Sequence, residues 1–167
     1  MKSFIMLLLI SEVLLFTPGQ CFSEGPENKS IAVMDPGIGI GNIKIGDQLQ
    51  DVIARMGRKP SDGKTVSLAN NRTEYWLDFK DLGITFIFDE KRELQRIAVS
   101  NPGIIIRSNG IRVDNSVNDI ERVYGDSEVK KINEQYIQRI YRDKGVGFTI
   151  NVDTGKIEAI TIEKNRR

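Results

Sequence analysis

The chain has no histidine in its 167 residues. That absence excludes Ser-His-Asp and Cys-His nucleophilic sites, and it excludes histidine-ligated zinc. No Gly-x-Ser-x-Gly stretch supplies an exposed serine elbow. Cysteine occurs once, at Cys21, and tryptophan once, at Trp76. If Cys21 is removed with an export signal, the mature chain has neither a disulfide nor thiol chemistry, which is compatible with an oxidising compartment. An excess of one charge is also missing: 24 Lys and Arg face 23 Asp and Glu, a formal net charge of +1. A dedicated nucleic-acid surface needs a basic stripe. The short basic end, Lys164-Asn165-Arg166-Arg167, reads as a solvated tail.

The N-terminus reads as an address. Lys2 gives a positive start, Phe4 to Ile10 and Val13 to Phe16 form an apolar run broken by Ser11 and Glu12, and Thr17-Pro18-Gly19 ends it. This is the order of a secretory signal peptide and is short for a membrane span. Cleavage after Ser23 makes residues 1–23 the signal and leaves 144 residues (167 minus 23). The alternative is a lipoprotein in which Cys21 is the lipidation site, although Gln20 stands where a small residue is wanted. Residues 24–35 begin with the polar run Glu24 to Ser30 and read as a linker.

Beyond residue 35 one pattern occurs twice. Pro36-Gly37-Ile38 recurs as Pro102-Gly103-Ile104, Met56-Gly57 as Tyr124-Gly125, and Gly83-Ile84-Thr85-Phe86 as Gly145-Val146-Gly147-Phe148. The offsets are 66, 68 and 62 residues, in one order along the chain. A repeat of this length is one supersecondary unit used twice. The spacing places unit 1 at residues 36–102, unit 2 at 103–163 and the tail at 164–167. A unit of roughly 65 residues buries a marginal core alone, so the two are expected to pack together or share a sheet.

In unit 1, Asp47 reads as a helix N-cap with Gln50 completing a capping box, and Leu49, Val52, Ile53 and Met56 form the apolar stripe before Gly57. In unit 2, Asn115 or Ser116 is the cap, Val117, Ile120 and Val123 the stripe, and Gly125 the stop. Three strands follow in each unit: 73–79, 84–89 and 93–100, then 135–142, 146–152 and 156–162. Short polar turns between them imply antiparallel hairpins. The expected fold class is α+β: two tandem units, each a helix packed on a small antiparallel β-sheet.

Alternation places Tyr75, Leu77, Phe79, Ile84, Phe86 and Phe88 beneath one helix, and Ile137, Tyr141, Val146, Phe148 and Ile150 beneath the other. The opposite face then carries Trp76, Asp78, Thr85, Ile87, Gln138, Ile140, Gly147 and Thr149. Exposed tryptophan is a favoured anchor at protein interfaces. Trp76, Ile87 and Ile140 are therefore the candidate contacts for a protein partner. Packing of Trp76 against the other unit or a loop is the plain structural alternative, since a one-residue change of register exchanges the faces.

Other chemistry is weaker. Gly37-Ile38-Gly39-Ile40-Gly41 lacks the third glycine of a dinucleotide loop and any following Gly-Lys-Ser/Thr. Asp78, Asp81, Asp89 and Glu90 cluster near one hairpin and suggest at most a hydrolase built on Asp78 and Asp89, but hairpin carboxylates are ordinarily solvated. No catalytic, cofactor-binding or metal-ligating residue is assigned, and no cofactor is expected. Asn28-Lys29-Ser30 and Asn71-Arg72-Thr73 match a glycosylation sequon, a pattern that arises often by chance.

The spacing Ile43-x-Ile45-Gly46, Val52, Gly57, Gly83-Ile84-x-Phe86-x-Phe88-Asp89 and Leu94-x-x-Ile97-x-Val99, with its second copy from Ile111 to Ile162, resembles small α+β repeats of bacterial envelope proteins. The BamE/OmlA-like outer-membrane lipoproteins have one such unit and the β-lactamase inhibitor protein group has two. The resemblance implies a periplasmic or secreted, non-enzymatic binding module whose partner is another envelope or secreted protein. Membrane attachment follows only if Cys21 is lipidated or the signal stays uncleaved. The lipid-anchored alternative is an outer-membrane assembly factor.

Overall fold

The computed structural model describes residues 33–67 and 73–165. The expected signal (residues 1–23), most of the expected linker and Cys21 lie outside the described residues. Residues 33–35, placed in the linker by the sequence, form strand β1 (Val33–Asp35). It joins β2 (Gly39–Ile40), β3 (Ile43–Lys44) and the later β8 (Ile105–Ile106) in a small sheet of order β3-β2-β1-β8. The large sheet has eight strands. The first half supplies β4 (Asp62–Ser67), β5 (Thr73–Phe79), β6 (Ile84–Phe88) and β7 (Leu94–Val99). The second half supplies β9 (Glu128–Lys131), β10 (Tyr136–Tyr141), β11 (Val146–Asn151) and β12 (Lys156–Glu163). Helix α1 (Leu49–Met56) precedes the first set and α2 (Val117–Tyr124) the second.

The expected pair of helix-on-sheet units is not what forms. The protein is mostly β, and both halves merge into one antiparallel sheet of order β4-β5-β6-β7-β12-β11-β10-β9. The joint is β7 against β12, with Val99 opposite Ile160 and Ile97 opposite Ile162. The physical reason lies in those four side chains, each fully buried. As free edges, β7 and β12 would expose apolar side chains beside unpaired backbone groups, which favours aggregation. Pairing them removes two edges and gives one continuous core. That core runs from Phe79, Phe86 and Phe88 through Ile97, Val99, Ile160 and Ile162 to Tyr141, Phe148 and Ile150. It also takes in Val52 and Ile120 from the helices and Met34 and Ile106 from the small sheet.

The two halves use equivalent backbone bonds at their helix starts. Leu49 N donates to Arg92 O, and Val117 N donates to Gly155 O. Leu94 N donates to Asp47 O, and Ile157 N to Asn115 O. Each helix start is thereby hung on the last hairpin of its own half.

The caps differ from expectation in one half. The N-cap of α1 is Gln48, without a side-chain cap bond. Asp47 instead accepts from the Lys44 backbone N–H at 2.7 Å and pairs with Arg55. Ser116 caps α2 in a capping box with Asp119. Val123, expected in the buried stripe, is 44% exposed, because only one turn of α2, at Ile120, is fully covered. Strands β4 and β9 were not expected: Asp62–Ser67 and Glu128–Lys131 are polar outer strands, so the apolar alternation that reveals a strand is absent.

Gly145 closes the molecule. Its φ is +64°, and a Cβ there would lie 2.4 Å from Glu163 O and 2.6 Å from Gly37 Cα. Gly37 N–H donates to Gly145 O at 3.2 Å and Glu163 N–H donates to the same oxygen at 3.0 Å. The beginning and end of the described chain therefore meet on one glycine, where no side chain fits.

Candidate binding face

Period-two alternation sends one set of side chains of the large sheet to the core and the other to the opposite, open face. Cross-strand register then sets which residues of the open set are neighbours. One row crosses all eight strands: Asp62, Asp78, Thr85, Ala98, Thr161, Gly147, Ile140 and Glu128. Its middle is small, with Ala98, Thr161 and Gly147. The adjacent row runs Lys64, Trp76, Ile87, Arg96 and Glu163. The open face is therefore a low floor of small residues flanked by larger groups.

Trp76 is half-buried on this face and is held from three sides. Its Nε1–H donates to a Glu74 carboxylate oxygen at 3.0 Å. The other Glu74 oxygen accepts from Arg96 Nη2 at 2.7 Å. Lys64 Nζ lies over the indole, 4.5 Å from the ring centroid, a cation–π arrangement of roughly 0.5–1 kcal/mol when exposed. On the neighbouring strand Ile87 stands directly opposite Trp76. The indole is thus held in one orientation by its own neighbours.

The three expected contact residues differ in their surroundings. Trp76 and Ile140 are both half-buried on the open face. Ile87 is on that face but only 5% exposed. Ile87 is therefore corrected from contact residue to footing: its neighbours cover it, and it supports the tryptophan from the next strand. Ile140 lines a shallow depression of about 450 Å³ with Asp126, Ser127, Glu128, Arg142 and Asp143 at the β9–β10 end. In that depression Arg142 grips Glu128 through Nε at 2.8 Å and Nη2 at 3.1 Å, which holds the Glu128 carboxyl below its ordinary range. The two remaining candidates, Trp76 and Ile140, lie in different rows, near opposite edges of the sheet.

The acidic residues of the first half have local partners and are not drawn together. Asp78 accepts a hydrogen bond from Thr85 Oγ1 at 2.6 Å across β5 and β6. Asp89, past the other end of β6, holds its own turn, accepting from the Lys91 and Glu93 backbone N–H groups, each at 2.9 Å. Asp81 pairs with Arg58, and Glu90 accepts from Thr73 N–H at 3.2 Å. Among the described residues no group of three or more acidic, cysteine or histidine side chains is placed to hold a metal ion. The sequence reading missed Lys64, Glu74 and Arg96 as supports of Trp76. Lys64 lies on unexpected β4, and ion pairing across strands leaves no local pattern.

No protein-family model and no curated protein matches the sequence. Among solved structures the fold is similar to the uncharacterized protein YfeY from Escherichia coli, with 12% identity and a TM-score of 0.57, covering 78% of this chain and 99% of that one. It is also similar to a DUF4309 family protein, YjgB, from Bacillus subtilis, at 11% identity and a TM-score of 0.50, covering 77% and 88% of the two chains. At these identities the likeness concerns the fold alone.

Proposed function

We propose that this chain is an exported protein that acts by binding another envelope or secreted protein through the open face of its large sheet. The observation that carries the reading is the braced tryptophan. Trp76 is the chain's single tryptophan, it sits on the side of the sheet away from the core, and Glu74, Arg96 and Lys64 fix its orientation. A large, oriented, amphipathic side chain beside a floor of small residues suits protein contact, where tryptophan is enriched among the groups that dominate affinity. The N-terminal apolar run after Lys2 supports export, and the resemblance to envelope repeat proteins fits the same compartment.

The test uses tagged mature protein as bait in envelope extract, with captured proteins identified by mass spectrometry. The affinity of the purified partner for Trp76→Ala and Thr161→Arg variants is then measured. Loss of a dominant contact predicts a fall on the order of tenfold to a hundredfold for each variant, with the thermal transition retained. A partner that binds both variants with unchanged affinity overturns the open face as its site.

A further inference from the structure

The outer edge of β9 is self-complementary, and we infer that it pairs with β9 of a second copy of this chain to form a two-fold symmetric dimer. Among the described residues β9 ends the large sheet. Its register on β10 sets Glu128, Val129, Lys130 and Lys131 against Ile140, Arg139, Gln138 and Ile137. The ladder continues where Ile132 N–H donates to Tyr136 O at 3.0 Å. Antiparallel pairs alternate between hydrogen-bonded and non-bonded, so positions 128, 130 and 132 spend their backbone groups on β10. The N–H and C=O groups of Val129 and Lys131 point outward. The edge is thus half of a ladder.

Symmetry restricts how a second copy completes it. A two-fold axis pairs one residue with itself, either an outward-facing one (127, 129 or 131) as a hydrogen-bonded pair or an inward-facing one (128 or 130) as a non-bonded pair. The last two set Glu128 against Glu128 or Lys130 against Lys130. Centring on Lys131 sets two ammonium groups against each other. Centring on Ser127 sets Glu128 against Asp126 of the second copy. Like charges directly opposite are destabilising. Centring on Val129 avoids all four clashes: Glu128 faces Lys130 of the second copy twice over, and Val129 meets Val129. Val129 is 55% exposed in the single chain, so this contact also covers apolar surface. Lys131 exchanges backbone bonds with Ser127 of the second copy, and its side chain remains on exposed Glu134, 2.7 Å away. Glu128 is already oriented by Arg142. Because β9 is only four residues long, the dimer is a small, reversible one. It would lay the two open faces edge to edge, a consequence separate from what those faces bind.

Sedimentation of the full mature chain over a wide concentration range tests this with charge-swapped variants. Wild type should show a concentration-dependent dimer that weakens with salt. Lys130→Glu and Glu128→Lys should each weaken self-association about tenfold or more, since each places like charges opposite one another at two symmetric sites. An equimolar mixture of the two variants restores opposite charges at every pair and should recover wild-type dimerisation. Misfolding of either variant cannot produce that recovery, and thermal scans of each verify the fold. Amide exchange at Val129 and Lys131 should slow as the dimer forms. A wild-type chain that stays monomeric throughout overturns the inference, as does a dimer that both variants leave intact or a mixture that recovers nothing.

Discussion

The two halves of the large sheet solve the same packing problem with different chemistry. On the core side, Phe79, Phe86 and Phe88 in the first half have Tyr141, Phe148 and Ile150 as counterparts in the second. One pair of positions departs from this likeness. Ile53 of α1 and Leu77 of β5 are apolar and pack against the core. At the equivalent places the second half has Glu121 and Arg139, joined at 2.6 Å. Arg139 is 19% exposed and its Nε is buried without a hydrogen-bond partner. A half-buried ion pair thus stands where the first half has two apolar side chains packed on the core. Such a pair gains attraction and loses hydration, and the two terms nearly cancel. The comparison shows that these two positions accept either apolar burial on the core or an ion pair between helix and strand.

The strongest way to break the comparison is to empty one half at a time. Phe86→Ala and Phe148→Ala each remove a fully buried ring and should cost about 3–5 kcal/mol. Because the core is continuous across β7 and β12, each variant should lower a single unfolding transition. Two transitions in calorimetry, with only one displaced per variant, would contradict the shared core.

A smaller effect sharpens the ion-pair contrast. Glu121→Ile alone leaves the Arg139 guanidinium half-buried without its partner and should cost roughly 1–3 kcal/mol. Replacing both, Glu121→Ile with Arg139→Leu, imports the first half's solution and should restore wild-type stability or exceed it. Denaturant titration of the three proteins reads the outcome, and a double variant no better than the single one would defeat the equivalence.

The smallest effect concerns the caps. Ser116→Ala removes the capping box of α2 and should cost about 1 kcal/mol, whereas Gln48→Ala, which breaks no side-chain cap, should cost little. The Ser116 hydrogen bonds hold the Asp119 carboxyl below its ordinary range. A depressed folded-state pKa gives stability that is present above the unfolded value, near 3.9, and lost as pH falls through the folded one. Acid unfolding below about pH 4 should therefore be less steep in Ser116→Ala than in wild type. Identical acid profiles would remove Asp119 from the account.

How much was legible beforehand follows from where the signal resides. The six inner strands were readable within a residue or two, because each alternates apolar and polar side chains, as Ile84-Thr85-Phe86 does. Strand β9 was invisible, since Glu128–Lys131 is exposed throughout and carries no such alternation. Trp76 was correctly assigned to the face opposite Tyr75 and Leu77, but Lys64, Glu74 and Arg96 could not be attached to it. Lys64 and Arg96 stand on other strands, where nothing local encodes a cross-strand contact, and Glu74, two residues from Trp76 on the same strand, is tied into the group by Arg96. Ile87 was misjudged for a related reason: alternation assigns a face, and only the neighbours decide whether that face is covered.

The chain alone determined what is local. Side-chain period set the strands and the face of each residue, the glycines set the turns, and the missing histidine removed whole classes of chemistry. Tertiary structure decided that the two halves would be one sheet, because burial of Ile97, Val99, Ile160 and Ile162 requires partners about sixty residues apart in sequence. It also decided which outward residues are available and which are covered. Burial is a property of the assembled surface, and no single segment carries it.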